Sequence, residues 1–188
     1  MKAIHALTVS VLLCSFAASA GAQSQQRPAA APAAKAALAT PSSIREEHAH
    51  LRQDLNEAIG SGGQTAVRAR AVAAVLLPHF KAEEAYAMPP LGLLQALAEG
   101  QTLSREQRHK AMAMAQQLQA HYPQMLQEHR QIHTRLEALA AVARQEHKPA
   151  ATAFANSLML HAQNEEQVLY PATILIGKFL ALRQPGGK

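Results

Sequence analysis

The sequence predicts an all-α fold, an antiparallel up-down-up-down four-helix bundle, and three observations carry that prediction. Apolar residues recur with a helical period along four stretches, and capping and turn residues separate those stretches by short connections. The composition suits a helical aliphatic core: only 4% of the 188 residues are aromatic, tryptophan is absent, and alanine and leucine dominate. A chain of this length can build one domain with its own core.

The first segment is of another kind. Lys2, an apolar run from Ala3 to Ala18 and the small residues Ala18-Ser19-Ala20-Gly21-Ala22 read as a secretory signal peptide over residues 1–22. Cleavage near Ala20 or Ala22 predicts a periplasmic or secreted protein. Residues 23–42, rich in Ala and Pro, have no apolar periodicity and read as a disordered tether. Cys14, the single cysteine, lies in the signal, so disulfides, thiolate metal sites and cysteine nucleophiles are excluded for the mature chain. No later stretch of about 20 uninterrupted apolar residues exists, which argues against a membrane span. The net charge of +5 comes from scattered basic residues with no Lys/Arg block or stacking motif, so nucleic acid is not an expected partner. Nothing in the chain fixes the oligomeric state.

The predicted domain covers 43–184. Ser43 and Glu46 have capping-box spacing, and Ile44, His48, Leu51, Leu55 and Ile59 form one stripe ending at Gly60. Ser61-Gly62-Gly63 makes a turn. Val67, Val72, Leu76, His79, Glu83 and Tyr86 then mark a second helix, kinked by Pro78 just before His79. Pro89-Pro90 and Gly92 end it, and a short helix with a loop fills 91–103. Ser104 and Gln107 form another capping pair, opening a helix whose inward positions are Leu118, Met125, His129, Ile132, His133, Leu136 and Leu139, with Pro123 kinking or dividing it. A fourth helix runs from about Ala151 to about Leu182, with Phe154, Leu158, His161, Glu165, Val168, Ala172, Leu175 and Phe179 facing inward.

The chemistry-bearing residues are repeated. His79-Phe80-Lys81-Ala82-Glu83-Glu84 recurs as His161-Ala162-Gln163-Asn164-Glu165-Glu166, and a proline follows each string at the same offset, Pro89 and Pro171. Glu47-His48 is likewise matched by Glu128-His129. A histidine and a carboxylate four residues apart share a helix face. Two helix hairpins of like design, related by a pseudo-two-fold axis, would bring His48, His79, Glu83, His129, His161 and Glu165 to one centre. His133 breaks the repeat, since Arg52 stands at the matching position, but it lies one turn from His129. Burying so many imidazoles and carboxylates requires compensation, and a pair of metal ions supplies it. Nitrogen and oxygen donors without sulfur suit iron, with manganese or zinc as substitutes. Glu84 and Glu166 lie about 140° around their helices from the preceding histidines and are assigned to surface ion pairs. His50, His109, His121 and His147 fall off the stripes. Tyr86 shares the His79 face, and Tyr170, half a turn from His161, is assigned to packing.

The series of a lone histidine, His-x-x-x-Glu, His-x-x-x-His and His-x-x-x-Glu over 43–182 resembles the hemerythrin family, in particular its HHE cation-binding branch. The resemblance implies two non-haem iron ions, with His48, His79, His129, His133 and His161 as terminal ligands and Glu83 and Glu165 bridging. Some members of that family use a carboxylate five residues after the last histidine, so Glu166 could take the place of Glu165. His133 could instead hydrogen-bond to Glu128 or to a bridging carboxylate. A related subgroup that repairs iron centres has a cysteine-bearing segment, which this chain lacks.

Counting positions separates the functional alternatives. Two octahedral irons offer about twelve, and five histidines, two bridging glutamates and a bridging oxygen fill about eleven. One open position suits reversible binding of dioxygen or a similar diatomic. If His133 is not a ligand, two positions open, and redox turnover of peroxide or nitric oxide is favoured. A metal-handling or interaction module without ligand chemistry is the third alternative.

Overall fold

A computed structural model of the chain describes residues 38–183. The signal peptide expected over 1–22 lies outside the described residues, as does the tether except for its last residues. Of these, Leu38 packs against the domain core and Thr40 is buried. The described residues are helical, without a strand: α1 (Ser42–Gly60), α2 (Gly63–Ala82), α3 (Leu94–Ala98), α4 (Arg105–Gln145), α5 (Pro149–Asn164) and α6 (Tyr170–Leu182). A single π turn, Glu83–Ala87, extends α2, and another, Glu165–Leu169, joins α5 to α6. The four-helix bundle expected from periodicity is therefore present: α1, α2 with its π turn, α4, and α5 continued by α6.

Local chemistry sets some of these helix ends and not others. Ser104 and Gln107 form the reciprocal capping box at the start of α4. The box expected from Ser43 and Glu46 does not form. The helix already includes Ser42 behind Pro41, and no side chain caps it. Between α1 and α2, Gly62 and Gly63 take φ of 75° and 66°, a region that side chains with a Cβ avoid. The amide groups at the start of α2 are held from a distance: Gln64 N and Thr65 N donate to Glu146 at 2.8 and 3.1 Å. A carboxylate suits that site, because helix N-termini carry unpaired N–H groups and partial positive charge.

Neither proline divides its helix. Pro78 and Pro123 are exposed and lie inside the continuous α2 and α4. The hydrogen-bond ladder changes in the two π turns, where Met88 N and Tyr170 N reach back five residues to Glu83 O and Glu165 O. One extra residue in a turn rotates everything after it by about 100°. The expected inward face of the last helix is corrected accordingly. Val168 and Leu175 are 53% and 66% exposed, while Tyr170, Thr173, Ile176, Gly177 and Leu180 are buried. Val67 is also exposed, with Thr65, Ala66 and Ala69 facing the bundle in its stead.

Two apolar clusters fill the interior. One contains Leu51, Leu55, Leu76, Phe80, Leu136, Leu139, Phe154 and Leu158; the other contains Tyr86, Met88, Leu118, Met125, Tyr170, Ile176 and Leu180. Each such aliphatic or aromatic side chain contributes roughly 1.5–3 kcal/mol on burial. Where the helices pass from one cluster to the other they carry six buried polar side chains, His48, His79, Glu83, His129, His161 and Glu165.

Candidate metal centre

α1 supplies His48, α2 and its π turn supply His79 and Glu83, α4 supplies His129, and α5 with its π turn supplies His161 and Glu165. All six are between 0% and 3% exposed. Their inward atoms form two groups. His79, Glu83, His129 and Glu165 each offer one atom within 4.8 Å of the others, and so do His48, His161 and Glu165. Glu83 also approaches the second group, with Oε2 3.8 Å from His48 Nε2. The pseudo-symmetry read from the repeat thus appears as two neighbouring donor sets that share their carboxylates.

Each imidazole is held from behind by a carboxylate on another helix. His48 Nδ1 is 3.1 Å from Glu84, His79 Nδ1 is 2.7 Å from Glu128, and His129 Nδ1 is 2.9 Å from Glu166. His161 Nδ1 lies 3.0 Å from Glu47, within ion-pair range but off the direction of a hydrogen bond. These partners also obey the repeat, Glu84 matching Glu166 and Glu47 matching Glu128. A carboxylate on Nδ1 fixes the ring and leaves Nε2 directed at the centre, an arrangement typical of metal-bound histidine. Glu84 and Glu166 are therefore more than surface ion pairs: the rotation that takes them off their own histidine's face aims them at the histidine of the neighbouring helix. Arg52 shares Glu84 at 2.7 Å, and its guanidinium lies over Phe80, which stacks on His48 with ring centroids 4.1 Å apart.

The structure separates Glu165 from Glu166. Glu165 is buried with Oε1 3.0 Å from His161 Nε2 and Oε2 3.4 Å from His129 Nε2, whereas Glu166 is 39% exposed on the outer side of His129. His133 is not brought to the centre. Its side chain is 55% exposed and pairs with Glu137 at 3.7 Å. The reason is rotational: Ile132, three residues after His129, takes the buried face of α4, and His133 swings past it to line an open groove of about 490 Å³ between α4 and α5. His50, His109, His121 and His147 are exposed, as expected.

Tyr170 does more than pack, contrary to the expectation from its position on the helix. Its hydroxyl donates to Glu83 Oε1 and lies 3.3 Å from His79 Nε2 and 3.2 Å from His129 Nε2. The π turn that begins at Glu165 turns Tyr170 inward. The repeat carries a mark of the turn in Pro89 and Pro171, each two residues beyond a π turn, although a proline alone does not break a helix here, since Pro78 and Pro123 lie in continuous α-helix. Tyr86, by contrast, points its hydroxyl at Met125 Sδ.

Electrostatics show what this packing costs without a metal. Burial opposes the charged form of His79, but Glu83 together with Glu128 and Glu165 overcomes it and raises the pKa to about 9. His161 is raised to about 9 in the same way, against burial, by Glu165 and Glu47. Burial and the charge of Glu165 push Glu83 upward, while Glu165, although buried, is held well below the usual carboxylate range by His129, His161 and His48. Even so, His48 Nε2, His161 Nε2, Glu83 Oε2 and Glu165 Oε1 are buried without a hydrogen-bond partner. Orphaned atoms of this kind are costly. Here imidazole nitrogens and carboxylate oxygens converge, the donor set that a transition metal accepts. The residues present therefore fit two metal ions.

Comparison with known proteins agrees with this geometry. The model of the hemerythrin HHE cation binding domain matches residues 40–173. No curated protein and no solved structure matches the chain.

Proposed function

Since the chain belongs to the hemerythrin HHE cation-binding family, we propose that it holds two non-haem irons and that its reduced form takes up dioxygen or a similar diatomic. The observation that carries the reading is the convergence of four imidazole Nε2 atoms on two shared carboxylates, with an outer carboxylate beside every Nδ1. His79 and His129 would hold one iron and His48 and His161 the other, with Glu83 and Glu165 reaching both. The iron pair would supply reversible electron transfer toward the bound molecule. The protein would contribute a site closed above and below by apolar packing, with the imidazoles held in place by Glu47, Glu84, Glu128 and Glu166. Manganese or zinc could occupy the same donors. Export to the periplasm or beyond, from residues 1–22, is part of the same proposal.

A second reading, redox turnover of peroxide or nitric oxide, is favoured by the exposure of His133, which removes one expected ligand. Mixing the iron-loaded, reduced protein with oxygen separates the two. A coloured adduct that is reversed by removing oxygen supports carriage, and direct conversion to the ferric form with consumption of added peroxide supports turnover. An iron-loaded protein indifferent to oxygen, peroxide and nitric oxide would contradict both.

A further inference from the structure

Within that di-iron reading, we propose that Tyr170 is a metal ligand, its phenolate oxygen completing the site formed by His79 and His129. His79 Nδ1 and His129 Nδ1 are engaged by Glu128 and Glu166, so with neutral rings both Nε2 atoms present lone pairs to the centre. The phenol oxygen lies 3.3 and 3.2 Å from these two atoms and gives its one proton to Glu83. Two nitrogens, a phenol oxygen and a carboxylate oxygen thus meet around one point with a single hydroxyl proton among them. A metal ion fills that point with all four donors satisfied.

The placement is specific. Tyr170 has no exposed surface, and its ring stacks on His129 with centroids 5.6 Å apart and meets the edge of Tyr122 at 6.1 Å. The matching residue of the first repeat is Met88, which is also fully buried but has no hydroxyl. One half of the centre therefore carries an oxygen donor that the other lacks. The orphaned atoms show the same asymmetry, since His48 Nε2 and His161 Nε2 are unpartnered, whereas Tyr170 occupies the space before His79 and His129.

The position count changes in consequence. Four imidazoles, two bridging carboxylates and a bridging oxygen fill roughly ten of twelve octahedral positions, and the phenolate raises this to roughly eleven. Tyr170 thereby takes the place expected of His133, and the open position falls on the metal held by His48 and His161. On ligation the Tyr170 O–H bond breaks, the proton is released to solvent, and the oxygen lone pair forms the bond to the metal. No change of oxidation state is involved.

The test uses the full chain loaded with ferric iron, with iron per chain measured on the same sample. Wild type should show tyrosinate ring modes in the resonance Raman spectrum, excited within a visible phenolate-to-iron(III) band. Tyr170→Phe should lose both while retaining bound iron, and Tyr86→Phe should keep both. The chain has three tyrosines, so if Tyr170→Phe fails to fold, survival of the modes in Tyr86→Phe and in Tyr122→Phe assigns them to Tyr170. Iron-loaded wild type without ring modes, or modes that survive in folded Tyr170→Phe, would overturn the assignment and leave the di-iron reading standing. A chain that holds no iron would sink both.

Discussion

Replacing Glu165 by Gln keeps the volume of the side chain and removes the charge shared by both donor sets. In the metal-free protein His161 is raised from 6.5 to about 9, with burial working against the shift and Glu165 the leading cause in its favour. A unit of pKa corresponds to about 1.4 kcal/mol, so the shift as a whole, to which Glu47 also contributes, holds on the order of 3 kcal/mol, with Glu165 the larger share. For a domain of this size that amounts to roughly 10 °C in melting temperature. The sign depends on pH. A folded-state pKa raised above its unfolded value contributes stability that is fully present below about 6.5 and is lost as pH rises through about 9. Metal-free Glu165→Gln should therefore melt well below wild type at pH 6.5, and the gap should close toward pH 10, where neutral imidazoles no longer compensate a buried carboxylate. Thermal unfolding followed by circular dichroism, with chelator present, measures it. Equal melting at pH 6.5, or a gap that widens with pH, would refute the electrostatic account. Iron loading supplies an independent check: Glu165 belongs to both donor groups, so the substitution should weaken both metals together.

Other substitutions probe the surroundings. Glu128→Ala removes the carboxylate 2.7 Å from His79 Nδ1 and should weaken metal binding by about 10–100-fold in a competition titration, with the fold retained. His133→Ala should leave iron content unchanged and stability within about 0.5 kcal/mol of wild type, because that side chain is 55% exposed and directed away from the centre. Gly177 lets α6 pass close to α4: a Cβ there would lie 2.4 Å from Ala115 Cβ. Gly177→Ala should cost about 1–3 kcal/mol through overpacking, and adding Ala115→Gly should recover most of the lost melting temperature.

The parts of this protein that were legible in its sequence are those governed by an unbroken helical period. His48, His79, Glu83, His129, His161 and Glu165 lie on apolar stripes at one-turn spacing, and the structure buries all six. His133 obeys the same spacing rule, but one turn covers both three and four residues. On α4 the apolar Ile132 wins the inward face, leaving the charged and polar neighbours to solvent. Glu84 and Glu166 could be placed off their own histidine's face, yet what they meet depends on the packing of a second helix, about which a single stripe carries no information. Tyr170 was hidden by the π turn. Period counting assumes a constant turn, and one inserted residue moved Val168 and Leu175 out and Tyr170 in. Pro89 and Pro171 stand just beyond the two π turns, but Pro78 and Pro123 lie in continuous helix, so proline by itself does not announce such a turn.

Two metal ions shared among six side chains are the central proposal, and the metal content of the protein tests it most directly. Protein loaded with iron under anaerobic conditions and freed of excess should contain about two irons per chain by elemental analysis, the stoichiometry of the two donor groups. A reproducible value of one iron per chain, or of none, would contradict it.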